Sequence, residues 1–241
     1  MKLSIIVPAF NEEQLITRCL DTIATALAVN NDFNFESEVI VVDNNSTDRT
    51  AELAKDAGAQ VCFEPVNQIG RARNTGATAA SGDWLMFVDA DSCVSPGLVA
   101  DILRIIESGT MVGCGSTMRM DDLPRLAEMV LTGWTRISIR CCWAAGSLFV
   151  CRADAFHELG GFNEALYAAE EVDLSRRLKK WARPHGLKFT ILIAHPLLTS
   201  SRKFQLYSGW EIARQFFWLI VRPLRTLRDS KHLSIWYDGR R

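Results

Sequence analysis

Over its first 110 residues the chain alternates short apolar or β-branched runs with helical stretches. SIIVP leads to a helix from about residue 12 to 28, EVIVVD to DRTAELAKDAG, and QVCFE to GRARNTGATAA, which ends in WLMFVDAD. This βαβαβαβ order predicts a mostly parallel sheet with helices on its faces. The uninterrupted apolar stretches 39–42 and 85–88 suit strands buried on both sides. Sheets of this type bind ligands beyond the carboxyl ends of their strands. Attention therefore falls on residues 8–13, 43–48 and 89–92.

The remainder is less regular. MVGCGSTM reads as a strand, 122–140 as a helix and AAGSLFVCR as a strand. A short helix then ends at Gly160-Gly161, followed by FNEALYAAEEVDLSRRLKKW, a last strand over 188–193, HPLLTSSRKF and an aromatic, basic C-terminal helix. No repeat or linker divides the chain. We expect an α/β fold: one Rossmann-like domain over 1–205, in halves 1–110 and 111–205, with a helical extension over 206–241. At 241 residues and 48% apolar composition the chain can supply such a core. Its formal charge of -1 argues against a nucleic-acid partner. The charge is uneven, however: residues 202–241 hold nine basic and three acidic side chains, leaving 18 basic against 25 acidic before them. Seven cysteines without a CxxC pair suggest neither a disulfide framework nor a zinc site, and point to a reducing, cytoplasmic setting. The N-terminal apolar run is too short for a signal peptide, and 216–221 is far too short to span a bilayer.

Asp89-Ala90-Asp91 closes the strand 85–88 and sends two hard oxygen donors into the expected crevice, a set suited to Mg²⁺ or Mn²⁺. Helix capping by Asp91 or Ser92 is the competing reading. No glycine-rich phosphate loop follows any strand, which disfavours dinucleotide dehydrogenases and P-loop enzymes. Carboxylates and amides at Glu12, Asp43 and Asn45 can instead read a base edge or ribose hydroxyls, although Asn11, Ser46 and Asp48 are equally good helix caps. In GRARNTGA, Arg71, Arg73 and Asn74 place two cations and an amide at a helix start, where an anion could be held; solvation of the two arginines is the plainer alternative.

The ordered segments SIIVPAFNEE, VIVVDNNSTDRTAELA, GRARNTGATAASGDWLMFVDADS and ELGGFNEALYAAEEVDLSRRL resemble the family 2 glycosyltransferases over roughly residues 2–205. That resemblance implies the A-type glycosyltransferase fold, a nucleotide-diphospho-sugar donor (most often a UDP-sugar), a divalent metal and inverting transfer. By position it implies nucleotide contacts from Pro8, Ala9, Phe10, Glu12, Asp43, Asn45, Arg71, Arg73, Asn74, Asp89 and Ala90, and metal contacts from Asp91 and Asp89. It makes 1–110 the nucleotide-binding half and 111–205 the acceptor half. Gly160, Gly161 and Phe162 would shape the sugar and acceptor side.

In this resemblance AEEVDL occupies the place of a Glu-Asp pair, with Glu171 standing where an Asp is more usual. Glu171 is thus the first candidate base, followed by Glu170 and Asp173. Acids at a helix start also complement the helix dipole, and Asp173 with Arg177 forms an i,i+4 pair. His195 is a further candidate metal contact, and Arg202 and Lys203 candidate diphosphate contacts. The mixture of aromatic and basic residues over 210–228 suits either a helix packed on the core or a peripheral contact with the inner face of a membrane, in which case the acceptor hydroxyl would belong to a lipid-linked or cell-envelope glycan. Two other functions compete. A nucleotidyltransferase would need a basic glycine-rich loop where the chain has Asn11-Glu12-Glu13, and a non-catalytic nucleotide-sugar sensor would have no need of the base.

Overall fold

The computed structural model describes residues 1–121, 123, 125–144 and 146–202. Lys203 and the extension 206–241, including the proposed membrane contact at 210–228, lie outside the described residues. The first half builds β1 (Lys2–Ala9), α1 (Ile16–Val29), β2 (Glu36–Asp43), α2 (Thr50–Asp56), β3 (Gln60–Phe63), α3 (Ile69–Ala79) and β4 (Trp84–Val88). Then follow β5 (Ser92–Cys93), α4 (Pro96–Glu107), β6 (Met111–Met120), α5 (Arg125–Cys141) and β7 (Leu148–Arg152). The last elements are α6 (Ala153–Glu158), α7 (Glu170–Ala182) and β8 (Lys188–Thr199). They form one eight-stranded sheet in the order β3-β2-β1-β4-β7-β6-β8-β5.

The β3-β2-β1-β4 half is parallel throughout, as the alternating pattern predicts. Beyond it β7 runs antiparallel to both β4 and β6, while β6 and β8 are parallel. The sheet separates two apolar layers. One includes Leu3, Ile5 and Val7 of β1 with Ile16, Ile23, Leu98 and Ile102 of α1 and α4. The other includes Ile6, Phe87 and Phe149 with Ala72 and Ala77 of α3 and Leu174 and Leu178 of α7. Adjacent strand residues face opposite layers, so a central strand must be apolar on both sides, and β4 is buried at all five positions.

Local signals place the helices. Ser95 caps α4 by accepting from Leu98 N at 3.2 Å, with Pro96 in the first turn. The cap is therefore neither Asp91 nor Ser92. Helix α1 starts at Ile16 rather than near residue 12, because the backbone of Glu12 turns to receive Leu15 N and Ile16 N. Gly76 is where α3 comes closest to the sheet: a Cβ there would collide with Ile6 and Val42 side chains. Strand β8 runs six residues past the expected end, bulging near His195-Pro196 before it pairs with Met118–Met120 of β6 and with β5.

Candidate active site

The site forms where β1, β2 and β4 end and α7 begins. Its centre is Arg73 of α3, which is 1% exposed. Nη2 donates to Asp89 Oδ1 at 3.0 Å, and Nη1 donates to Glu170 Oε1 at 2.9 Å and to Glu171 Oε1 at 2.8 Å. The guanidinium carbon lies 5.3 Å from the Phe162 ring centroid, while the buried Nε has no hydrogen-bond partner. Burial disfavours the Arg73 charge, but Glu171, Asp89 and Glu170 outweigh it and keep the guanidinium firmly protonated. With three carboxylates around one cation, Glu170 yields: burial and the Glu171 charge push it up to about 8 against the pull of Arg73. Ala169, immediately before this pair, has φ 62, a left-handed conformation that costs a non-glycine residue ~1 kcal/mol or more.

Asp91 faces a set of hydroxyls. Its Oδ1 accepts from Ser92 Oγ at 3.4 Å and from Thr199 Oγ1 at 3.3 Å, and its carbonyl accepts from Ser200 N. Thr199 Oγ1 lies 3.1 Å from Ser92 Oγ and 3.4 Å from Ser147 Oγ. The end of β8 thus orients the second aspartate of the Asp-x-Asp pair. Asp89 and Asp91 are both half-buried, whereas Ala90 is in the core.

The loops after β1 and β2 are interlocked. Asn11 and Asn45 both have positive φ, at 51° and 67°. Asn11 N donates to Ser46 Oγ, Asn11 Oδ1 accepts from Thr47 N at 2.8 Å, and Asp43 Oδ1 accepts from Ser46 N at 3.0 Å. Pro8 and Ala9 finish β1, and Phe10 follows at the rim. Buried Glu12 pairs with Arg202 Nη2 at 2.6 Å, and Arg202 Nη1 donates to Gln14 Oε1. Arg202 therefore closes the end of β8 onto the loop after β1.

Four of the expected site residues have protein partners of their own. Arg71 and Asn74, expected at a nucleotide, anchor the Gly160-Gly161-Phe162 turn and the loop beyond it. Arg71 Nη1 donates to Glu164 Oε2 at 2.9 Å, while Asn74 accepts from Phe162 N and donates to Phe162 O. Glu64, held by Thr75 and Arg71, and Gln68, bound to the carbonyls of Glu164 and Leu166, complete this anchor. Phe162 itself is core, and Gly161 at φ 70 leaves room for Asn74 Oδ1. His195, expected at the metal, has its Nδ1 2.8 Å from Asp101 Oδ2 and its ring over Gly97 of α4. Asp173 takes the structural alternative, pairing with Arg177 at 2.7 Å, which also donates to the Leu159 and Gly161 carbonyls.

The family model described as Glycosyl transferase family 2 matches residues 4–141. The chain belongs to this family. A Haemophilus influenzae protein known as an uncharacterized glycosyltransferase is 27% identical over 192 residues, covering 73% of this chain and 61% of its own length. The Bacillus subtilis uncharacterized glycosyltransferase EpsJ is 32% identical over 126 residues, covering 49% of this chain and 35% of its own. The chain thus spans less than two thirds of either relative. Among solved structures, S. aureus TarS 1–349 in complex with UDP-GlcNAc aligns with TM-score 0.64 at 18% identity, over 99% of this chain and 73% of that one. Glucosyl-3-phosphoglycerate synthase from Mycobacterium tuberculosis, in complex with Mn²⁺ and UDP-glucose, aligns with TM-score 0.64 at 20% identity, over 93% and 78%. The fold of this family member is accordingly that of the A-type glycosyltransferases.

Among the described residues no group of three or more His, Cys, Asp or Glu side chains is placed to cage an ion. Two half-buried carboxylates at a strand end, Asp89 and Asp91, still fit a hard cation that completes its shell with phosphate and water. The same set does not suit an ion that demands an all-protein cage.

Proposed function

We propose that the protein transfers a sugar from a nucleotide-diphospho-sugar to an acceptor hydroxyl with inversion, using Glu171 as general base. One observation carries this reading: a single buried guanidinium bonds Asp89 at the end of β4 and Glu171 at the start of α7. The donor-side acid and the acceptor-side acid are thereby held in one frame. Pro8, Ala9, Phe10, Glu12, Asp43 and Asn45 border the nucleoside side, and Asp91 with Asp89 would hold Mn²⁺ or Mg²⁺. Such a cation, when bound, supplies charge neutralisation for the diphosphate leaving group. Arg202, at the mouth between β8 and the loop after β1, is placed to add a second positive charge there.

Glu171 is favoured over Glu170 on access. The Glu171 side chain is 12% exposed and that of Glu170 3%, the latter lying beside Gly70 of α3. Arg73 fixes Glu171 through Oε1, so the acceptor proton would be taken at Oε2 as the hydroxyl oxygen attacks the anomeric carbon. Fold neighbours solved with UDP-GlcNAc and with UDP-glucose and Mn²⁺ support a nucleotide-sugar donor. The test is a thermal-shift panel of UDP, GDP, CDP and dTDP with and without Mn²⁺, since a ligand specific to the folded state raises its stability. Metal-dependent stabilisation by one nucleotide, lost in Asp91→Asn, is the expected result; no shift from any of them would sink the donor assignment. With a donor identified, turnover surviving Glu171→Gln would remove Glu171 as the base.

A further inference from the structure

We infer that the outer face of α5 is a contact surface for an anionic lipid bilayer. Met129 is 72% exposed, and Val130 and Ile137 are each 47% exposed. At 100° per residue, positions 129, 130, 132, 133, 136, 137 and 140 fall within a single arc of the helix, which thus presents Met129, Val130, Thr132, Gly133, Arg136, Ile137 and Arg140. All but Gly133 carry side chains, and all seven residues are exposed. The opposite arc does the packing: Ser138 is buried with Oγ on Trp143 O, and Ile139 sits against the layer that holds Leu174 and Ile191.

Charge decides the occupant. The exposed arc carries Arg136 and Arg140 and no acid, and after Glu128 in the first turn no acidic residue occurs until Asp154, although acids outnumber bases over the first 201 residues. A second copy docking through this face symmetrically would set arginines against arginines. The segment 203–241, with eight basic and three acidic side chains, carries the same sign. An anionic bilayer complements both features at once: apolar side chains enter the acyl boundary while Arg136 and Arg140 reach lipid phosphates. Buried hydrogen bonds also tie the end of α5 to the start of α7. Ala144 N, three residues past α5, donates to Ser175 Oγ at 3.0 Å, and that hydroxyl donates to Glu171 O at 2.7 Å. Resting on the transfer reaction proposed above, a bilayer on this face makes the acceptor class lipid-borne.

The full-length chain should be sedimented with phosphatidylcholine vesicles containing or lacking phosphatidylglycerol. Binding should require phosphatidylglycerol, and R136Q/R140Q should weaken it about thirtyfold, near fivefold for each arginine at the surface. M129Q/I137Q should weaken it by at least tenfold with an unchanged melting temperature, because both positions are exposed. Vesicle binding equal to wild type in both variants would overturn the inference, as would failure of the wild type to bind. A concentration-dependent dimer dissociated by I137Q would overturn it in favour of a second copy. Vesicle binding needs no nucleotide, so its failure leaves the nucleotide thermal shift untouched, and loss of that shift leaves vesicle binding interpretable.

Discussion

Replacing Glu170 by Gln tests the charge arrangement around Arg73 directly. Burial and the Glu171 charge hold this carboxyl near 8 instead of its ordinary 4.5. An acid whose folded pKa is raised binds its proton more tightly folded than unfolded, so the folded state loses stability as pH rises from about 4.5 to about 8, then levels off. At ~1.4 kcal/mol per pH unit the ceiling over that window is roughly 5 kcal/mol. Partial relaxation around the group should leave on the order of 2–3 kcal/mol. The amide introduced by Glu170→Gln has nearly the shape of the protonated acid and can still accept from Arg73 Nη1, so the variant's stability should lack this slope. Urea unfolding of both proteins at pH 5, 6, 7, 8 and 9 gives the comparison, and the difference between them cancels histidines and cysteines common to both. The variant should match the wild type near pH 5 and exceed it by about 2 kcal/mol or more at pH 8. Parallel curves across that range would refute the assignment of the proton to Glu170. Retained turnover in the same variant would agree with Glu171 as the base; collapse of turnover with intact nucleotide binding would transfer that role to Glu170.

Arg73→Leu should destabilise by about 3–5 kcal/mol, measured by denaturant unfolding, because it strands the Asp89 and Glu171 carboxylates without their cation and takes from Glu170 its donor; a cost below 1 kcal/mol would contradict the shared-guanidinium account. Glu38 lies at the opposite end of the sheet, where burial opposes its charge but Ser4, Ser81 and Lys2 outweigh it and hold it at about 2. Its folded pKa is depressed, so its contribution is present above about 4.5 and lost as pH falls toward 2; Glu38→Gln should remove about 2 kcal/mol at pH 7 and almost nothing at pH 2, by urea unfolding. Gly76→Ala should cost about 1–3 kcal/mol in the same measurement despite Ala's better helix propensity, because Ile6 and Val42 leave no room for a methyl. Thr199→Val should weaken Mn²⁺ binding, read by Mn²⁺ electron paramagnetic resonance, by about tenfold, with Thr199→Ser restoring most of it; equal affinity in all three proteins would show that the hydroxyls do not orient Asp91.

The parallel half of the fold was legible because each of its cues is local. Strands such as 39–42 and 85–88 are apolar throughout, and polar turn residues separate the elements. The second half of β8 was not legible: HPLLT carries a histidine and a proline, and its strand character comes from pairing with residues 118–120 and 92–93, far away in sequence. Arg71 and Arg73 show where the site itself became unreadable. Helical spacing could have separated them, since 73 shares a face with Gly76 and Ala77 while 71 shares one with Asn74, Thr75 and Thr78. That argument assigns Arg73 to the packed side, yet an unpartnered arginine there would be prohibitive, so it must have carboxylates. Asp89 lies within the same βαβ segment, but Glu170 and Glu171 are 97 and 98 residues away, on a helix that packs through Leu174 and Leu178 and follows the turn that Asn74 anchors. Removing Asn74 should therefore loosen Glu171 without touching it. Asn74→Ala should lower kcat more than it raises the nucleotide Kd, and an effect confined to nucleotide affinity would return Asn74 to the nucleotide pocket where its sequence neighbourhood first placed it.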